Sequence, residues 1–458
     1  MDKYLLDALH CPFCLKRLIV TKGDAHLHHW EYAVLSCYCE RYPVVAGIPI
    51  IRKGVVGSRG ETARAVSYLI EAGRNEDALL AMAVPKDPAT ANLAPKWLQR
   101  LPQLRGMGRI RSVAGRFAIP RWRKHAEDFL TAGPQGRTAK DYFDFHFLHS
   151  ELKQTEYSYF VNRFGQPRHL VALSLMTLID SPRKPVLDFG CGFGHLTRHL
   201  PLRVGHQPII GADREFIRLY VAKNFLAPDA LYICTDGDAP LPFSNEFFSV
   251  AYTSDTLFMV TSKALCTKEL KRVVDSDGLL IVAGIRNGLV DTDKYPINMA
   301  LPHYCYTRFF DDVPHRILSS GDVLDQYVKK CGPAISRSSA KHVLDNDPWV
   351  SIVATKREEL LVDRGPLADW PHAEGRLELN PLYKPDEDHR NGTGQTLYRH
   401  TFPSSWYEQE DGDCRKYEPD KVSISSQVLN DLSVGKRTAD MEDLIARCVI
   451  VGIPDRFH

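Results

Sequence analysis

The sequence predicts a doubly wound α/β domain, preceded by a small cysteine-bearing unit and followed by an additional C-terminal α+β region. Three observations predict it. Val186-Leu187-Asp188-Phe189 is an apolar run ending near an acid, and it opens a turn with Gly190, Gly192 and Gly194. Further short apolar runs follow with helical spacing between them, as alternating strands and helices require. Two close cysteine pairs, Cys11/Cys14 and Cys37/Cys39, stand near the N-terminus.

The cysteine pairs come first in the chain. Four thiolates from two knuckles suit a closed tetrahedral zinc site, which leaves no open position and makes the metal structural. Four incidental buried cysteines, or two disulfides, would leave the same spacing. His26, His28 and His29 are substitute ligands on paper, but their positions read as loop or exposed. The segments Leu5-Leu6-Asp7-Ala8-Leu9 and Arg41 to Ile50 complete a likeness over residues 1–54. They resemble a small zinc-ribbon family that includes the activator subunit of eukaryotic tRNA, rRNA and release-factor methyltransferases. The C-x-C knuckle departs from the commoner C-x-x-C.

Residues 55–140 read as a basic, mainly helical connector. From Lys86 to Lys124 the chain carries ten Lys or Arg and one acid, Asp87, with Trp97 and Trp122 near the ends. A solvated basic helical face is the plain reading. Phosphates and stacked bases are the functional one, and make nucleic acid a possible partner. Gly133 to Arg137 reads as the closing turn.

The expected core spans 141–357. Tyr142 to Leu178 is rich in aromatics and includes His146 and His149. The first strand and its glycine turn follow. Pro208 to Asp213 is a second apolar run ending in an acid. Leu231 to Cys234 is a third, followed by Asp236-Gly237-Asp238-Ala239-Pro240-Leu241-Pro242-Phe243. Phe247 to Tyr252 is a fourth, with Ser254-Asp255-Thr256 after it. Lys263 to Val274 has amphipathic spacing, Asp275 to Gly278 reads as its C-terminal turn, and Leu279 to Ala283 is a fifth strand. Trp349 to Lys356 reads as the last strand of the sheet.

The D-x-G-x-G-x-G turn and this ordered series resemble the class I S-adenosylmethionine (SAM) methyltransferases, a Rossmann-like fold. The resemblance implies a cofactor site from Asp188, Gly190, Gly192, Gly194, Asp213 and Ser254. It gives Asp213 to the ribose hydroxyls, and either Asp236 or Asp238 to the adenine side. A dinucleotide such as NAD would also want the acid at Asp213, but would not predict Leu241-Pro242-Phe243. Asp255 and His303 are the candidate bases, and Tyr304 and Tyr306 candidate lining of the acceptor side. The N-P-P-Y signature is absent after the fourth strand, which argues against exocyclic-amine and glutamine-amide acceptors.

Residues 358–458 resemble no recognised family and read as a substrate cap or oligomer contact, with helical periodicity from Leu429 to Ile453. Charged residues make up 25% of the 458 and hydrophobic ones 44%, the balance of a globular chain. Scattered cysteines suit a reducing, cytoplasmic setting. No run is long enough for a membrane span. The expected function is methyl transfer to a small-molecule, peptide or glycan intermediate. The alternatives are an RNA or translation-machinery methyltransferase with its zinc activator fused in cis, and a non-catalytic SAM- and zinc-binding scaffold.

Overall fold

The computed structural model describes residues 1–23, 28–57, 60–84, 120–147, 153–290, 299–367, 373–386 and 394–458. Residues 85–119, which hold most of the basic stretch from Lys86 to Lys124, lie outside them, as do His26 and His149.

The first unit is a four-stranded antiparallel sheet: β1 (Ile19–Gly23), β2 (Ala33–Ser36), β3 (Arg41–Val45) and β4 (Ile48–Pro49), in that order. Helices Ala63–Glu71 and Asn75–Ala83 follow it, the first capped by the Thr62 hydroxyl, which accepts from the Ala65 N–H at 3.2 Å. After 120–131, which is helical, the chain turns at 132–136 and enters helix Ala139–Phe147.

The central sheet has seven strands: β5 (Val186–Phe189), β6 (Ile209–Asp213), β7 (Leu231–Cys234), β8 (Phe248–Ser254), β9 (Val274–Arg286), β10 (His315–Ser319) and β11 (Trp349–Thr355). Their spatial order is β10-β11-β9-β8-β5-β6-β7. The pairs joining β7, β6, β5, β8 and β9 are parallel, and β11 runs antiparallel to both β9 and β10. Chain order reverses between β5 and β8, which opens a crevice at their carboxyl ends.

Alternation places successive side chains on opposite faces. Val186, Ile209, Tyr232, Leu279 and Ile281 join one core with helices Pro167–Met176, Phe216–Val221 and Ser320–Val328. Leu187, Ile210, Ile233, Leu280 and Val282 join the other with helices Lys263–Val273 and Lys3–Ala8.

Two sequence expectations are corrected here. Helix Lys263–Val273 ends at Val273, and the chain runs straight into β9; Asp275 to Gly278 is not a helix-capping turn. Gly278 is needed for room instead, since a Cβ there would lie 2.4 Å from Val274 Cγ1 and 2.7 Å from the Ser249 carbonyl. The helical periodicity expected up to Ile453 stops earlier. Helices Ser426–Ser433 and Glu442–Ala446 form, but Ile450–Ile453 is a strand. Strand β10 and helix Ser320–Val328 had no counterpart in the sequence reading.

The C-terminal region builds a third core. Strand β12 (Arg376–Leu379) pairs with β16 (Ile450–Ile453), and β13 (Tyr383–Pro385), β14 (Gln395–His400) and β15 (Lys421–Ser425) form a three-stranded sheet. No helix among the described residues is long and apolar enough to cross a membrane.

Candidate cofactor site and cysteine cluster

The glycine turn sits at the carboxyl end of β5. Gly190, Gly192 and Gly194 have φ of +75°, +53° and +82°, in the left-handed region. Their surroundings differ. A Cβ on Gly190 would lie 2.2 Å from Thr256 Oγ1, and one on Gly194 would lie 2.9 Å from Ala222 Cβ. A Cβ on Gly192 would meet nothing within 4 Å among the described residues. The first and third glycines let the turn pack, and the second leaves an open cradle.

Asp213, at the end of β6, faces that cradle. Its Oδ2 accepts the Gly192 N–H at 2.9 Å and its Oδ1 accepts the Glu215 N–H at 2.8 Å. Burial pushes its carboxyl above the ordinary value despite Arg218 and these two amides. Ser254, at the end of β8, is buried and its Oγ has no hydrogen-bond partner among the described residues. An open cradle, an acid with lone pairs to spare and an orphaned hydroxyl fit a nucleoside-bearing cofactor.

Asp188 lies beneath the turn, accepting from the Thr197 hydroxyl at 2.6 Å. Burial pushes its carboxyl up to about 7, against the Thr197 hydrogen bond. A raised folded-state value means the folded chain holds a proton that the unfolded chain has lost. This group therefore subtracts stability as pH rises from about 4 to about 7. Thr197→Val removes the opposing hydrogen bond and extends that decline upward. Urea unfolding should show the variant close to wild type at pH 5 and about 1–2 kcal/mol less stable at pH 8. An equal loss at both pH values would refute the assignment.

Of the two acids of which one is expected on the adenine side, Asp236 accepts from Arg52 Nη2 at 3.2 Å, and Asp238 accepts from the Ser262 N–H at the start of helix Lys263–Val273. Arg52 follows the four-stranded sheet. There the first unit meets the edge of the seven-stranded sheet: Ile50 bridges Cys234 in parallel, and the Ile51 N–H donates to the Cys234 carbonyl at 2.8 Å. Leu241-Pro242-Phe243 joins this seam, the Pro242 carbonyl accepting the His10 N–H at 2.9 Å.

Asp255 has φ of +58° and is buried in a charge cluster. Its carboxylate accepts from Tyr159 Oη, lies 3.2 Å from Arg163 Nη1 and 3.6 Å from Arg168 Nη1. Burial raises its carboxyl, but Arg168 and Arg163 outweigh it and hold Asp255 below the usual range. Arg168 also meets Asp411 Oδ1 at 3.2 Å, and Arg286 meets Glu410 Oε2 at 3.1 Å. Glu410 and Asp411 belong to the C-terminal region, so this cluster ties it to the ends of β8 and β9. None of these partners was singled out from sequence. The available signal was Arg168 within the mostly apolar Pro167–Met176.

His303, the other candidate base, lies after β9, with Nε2 2.9 Å from Asp345 Oδ1. Tyr306 is buried and Tyr304 exposed. His146 packs at 6.2 Å against Phe193, in the glycine turn, and burial with Arg218 lowers it to about 4.

The four N-terminal cysteines converge. Their Sγ atoms lie within 4.8 Å of one another, with Cys11–Cys39 at 3.6 Å and Cys37–Cys39 at 3.5 Å. All are free thiols. Zn–S bonds of about 2.3 Å at tetrahedral angles place sulfurs about 3.8 Å apart. Amide donors support thiolate character: Phe13 N–H to Cys11 Sγ at 3.5 Å and Cys39 N–H to Cys37 Sγ at 3.4 Å. The donor set fits a structural zinc ion. His29 pairs with Glu31 at 2.8 Å and stands outside the cysteine cluster.

Residues 187–282 match the methyltransferase domain family. With the seven-stranded sheet and the glycine turn, this defines a class I, SAM-dependent methyltransferase domain of Rossmann-like fold. Among curated proteins the chain is similar to the uncharacterized methyltransferase YodH of Bacillus subtilis, 32% identical over 111 residues. That stretch is 23% of this chain and 46% of the relative, so the chain spans about half the length of that relative. Among solved structures it is similar to a chain of the complex between the Haloferax volcanii Trm112 methyltransferase activator and a methyltransferase (16% identity, TM-score 0.34, 48% of this chain and 98% of that one). Another is a SAM-dependent methyltransferase from Thermotoga maritima (15% identity, TM-score 0.32, 45% of this chain and 96% of that one).

Proposed function

We propose that the chain is a SAM-dependent methyltransferase that acts on a small-molecule, peptide or glycan intermediate, with residues 358–458 closing over the acceptor side. The observation that carries this is the open cradle at Gly192, flanked by Asp213 and the unpartnered Ser254 hydroxyl. SAM supplies an electrophilic methyl group on a sulfonium for in-line displacement, so alignment is the protein's main contribution. Asp213 holds the ribose, the glycine turn admits the cofactor to the backbone, and Ser254 donates or accepts beside it. Asp255 organises Tyr159 and two arginines at the acceptor side. Of the two candidate bases, His303 is the one to receive a proton where the acceptor loses one, because Arg168 and Arg163 hold Asp255 as a carboxylate below the usual range.

Calorimetric titration with S-adenosylhomocysteine tests the reading. Wild type is expected to bind with micromolar affinity. Asp213→Ala should weaken binding by at least about 30-fold through loss of charge-assisted hydrogen bonds, while melting stays within a few degrees of wild type. Unchanged affinity in the variant would overturn the role of β6. Binding without a methylated product from any cell extract would favour the scaffold reading.

A second reading is a methyltransferase of RNA or translation machinery that carries its zinc activator in cis. The Ile50–Cys234 seam and the Arg52–Asp236 contact favour it, because they place the cysteine-bearing unit against the third parallel strand. Retention on RNA or heparin with a steep salt dependence would support it. On either reading residues 1–54 form a zinc ribbon whose metal stabilises the fold. Cys11→Ser with Cys14→Ser should release one zinc per chain and lower the melting temperature by about 10 °C or more, since small ribbons depend on their metal. Wild type free of zinc and melting normally would refute this.

A further inference from the structure

A second convergence of metal-ligating side chains lies away from the cofactor edge. His400 ends β14, Cys414 sits in the short helical turn Gly412–Lys416, and Glu418 follows four residues later. The Glu418 N–H donates to the Cys414 carbonyl at 2.7 Å, which fixes that spacing in the backbone. One nitrogen, one sulfur and one carboxylate oxygen lie within 4.8 Å of one another. His400 Nε2 is 2.7 Å from Glu418 Oε2 and 3.9 Å from Cys414 Sγ. His400 and Glu418 side chains are 3% and 0% exposed, and Cys414 is 1% exposed.

A nucleophilic relay would place the thiol and the carboxylate on opposite ring nitrogens of the histidine. Here both address Nε2, so the three donors surround a common centre. Zn–N bonds of about 2.0 Å and Zn–S bonds of about 2.3 Å put ligand atoms about 3.3–3.7 Å apart at tetrahedral angles. The thiol stands just outside that range at 3.9 Å, and the 2.7 Å hydrogen bond between His400 and Glu418 would open by about 0.6 Å to admit an ion. The carboxylate is held from behind: Asn380 Nδ2 donates to Glu418 Oε1 at 3.0 Å and to the Cys448 carbonyl at 2.9 Å, and Asn380 Oδ1 accepts the Leu382 N–H at 3.0 Å. Outer partners of this kind orient metal-ligating carboxylates. Among the described residues the ion-pair partner of Glu418 is His400.

We propose that His400, Cys414 and Glu418 form a second metal site, for a divalent ion of zinc-like softness, with a fourth position taken by water. It staples β14 to the 412–418 turn. Between them lies helix Ser405–Asp411, which carries Glu410 and Asp411 to Arg286 and Arg168. The ion thus fixes the segment that approaches the acceptor side. The proposal is independent of which acceptor is methylated.

The test counts metal in the full-length protein, loaded with Zn²⁺ and dialysed against a weak chelator. Wild type should retain two zinc per chain. Glu418→Gln and Cys414→Ser should each retain one, as should Cys11→Ser with Cys14→Ser. Glu418→Gln keeps the side chain's size and an acceptor for Asn380, so it covers the case in which Cys414→Ser does not fold. In a second measurement, Zn²⁺ should slow alkylation of Cys414 by iodoacetamide at least tenfold. Equal zinc content in wild type and Glu418→Gln, or Cys414 alkylation indifferent to Zn²⁺, would overturn the site and leave a hydrogen-bonded trio.

Discussion

Alanine at Gly190 and alanine at Gly192 should fail in different ways, although the two residues stand two positions apart in one turn. At Gly190 the added methyl meets Thr256 Oγ1 at 2.2 Å, Cγ2 at 2.4 Å and Cβ at 2.7 Å. Thr256 cannot swing aside freely, because its hydroxyl donates to the Ser254 carbonyl at 2.8 Å. Left-handed backbone costs an alanine about 1–2 kcal/mol and overpacking about 1–3 kcal/mol more. Gly190→Ala should therefore lose about 3 kcal/mol of stability. At Gly192 the methyl enters open space, so only the backbone cost of about 1–2 kcal/mol applies. That methyl occupies the volume assigned to the cofactor, so Gly192→Ala should lose S-adenosylhomocysteine affinity by at least about 100-fold. Urea unfolding and calorimetric titration on both variants separate the effects. A Gly192→Ala protein that binds normally would mean that the cofactor does not cross this turn.

That contrast also shows how far a sequence reading reaches. The strand, the glycine turn and the acid after β6 were legible because each is local: apolar residues run into an acid or glycine within a dozen positions. The two pairs of cysteines were legible for the same reason. Strand β10 was not, because it is an edge strand whose buried apolar residues are Ile317 and Leu318. Val449 to Ile453 was misassigned to a helix because a short fully buried run carries no alternation, and its pairing with β12 lies about 75 positions back. The order in which glycines matter was also hidden, since it depends on Thr256 and Ala222 packing against the turn from elsewhere. The charge cluster around Asp255 was least legible. Glu410 and Asp411 stand in an acidic run of the sequence, and both side chains are buried against arginines more than 120 positions earlier.

Those arginines carry the second large expectation. Among the described residues three guanidiniums (Arg163, Arg168, Arg286) face three carboxylates (Asp255, Glu410, Asp411). Arg168 is its centre: it lies 3.6 Å from Asp255, 3.8 Å from Glu410 and 3.2 Å from Asp411, with its guanidinium 4.4 Å from the Trp349 ring centroid. A buried pair broken on one side typically costs about 3–5 kcal/mol, mostly because the remaining charge is stranded. Arg168→Ala should lose that much and loosen residues 405–418. The loss should depend on pH in a definite direction. Burial already pushes the Asp411 carboxyl above its ordinary value, with Arg168 the first opposing charge. Without Arg168 it rises further, so the folded variant takes up a proton that the unfolded chain releases. Its stability then falls as pH rises, and the deficit against wild type is larger at pH 8 than at pH 5. Adding Asp411→Asn to Arg168→Ala should recover about 1–2 kcal/mol at pH 8, because the stranded charge is gone. Urea unfolding of wild type, Arg168→Ala, Asp411→Asn and the double variant at both pH values decides it. A deficit under about 1 kcal/mol, or a double variant no more stable than the single, would mean that solvent reaches the cluster and that the C-terminal region is held by its apolar contacts alone.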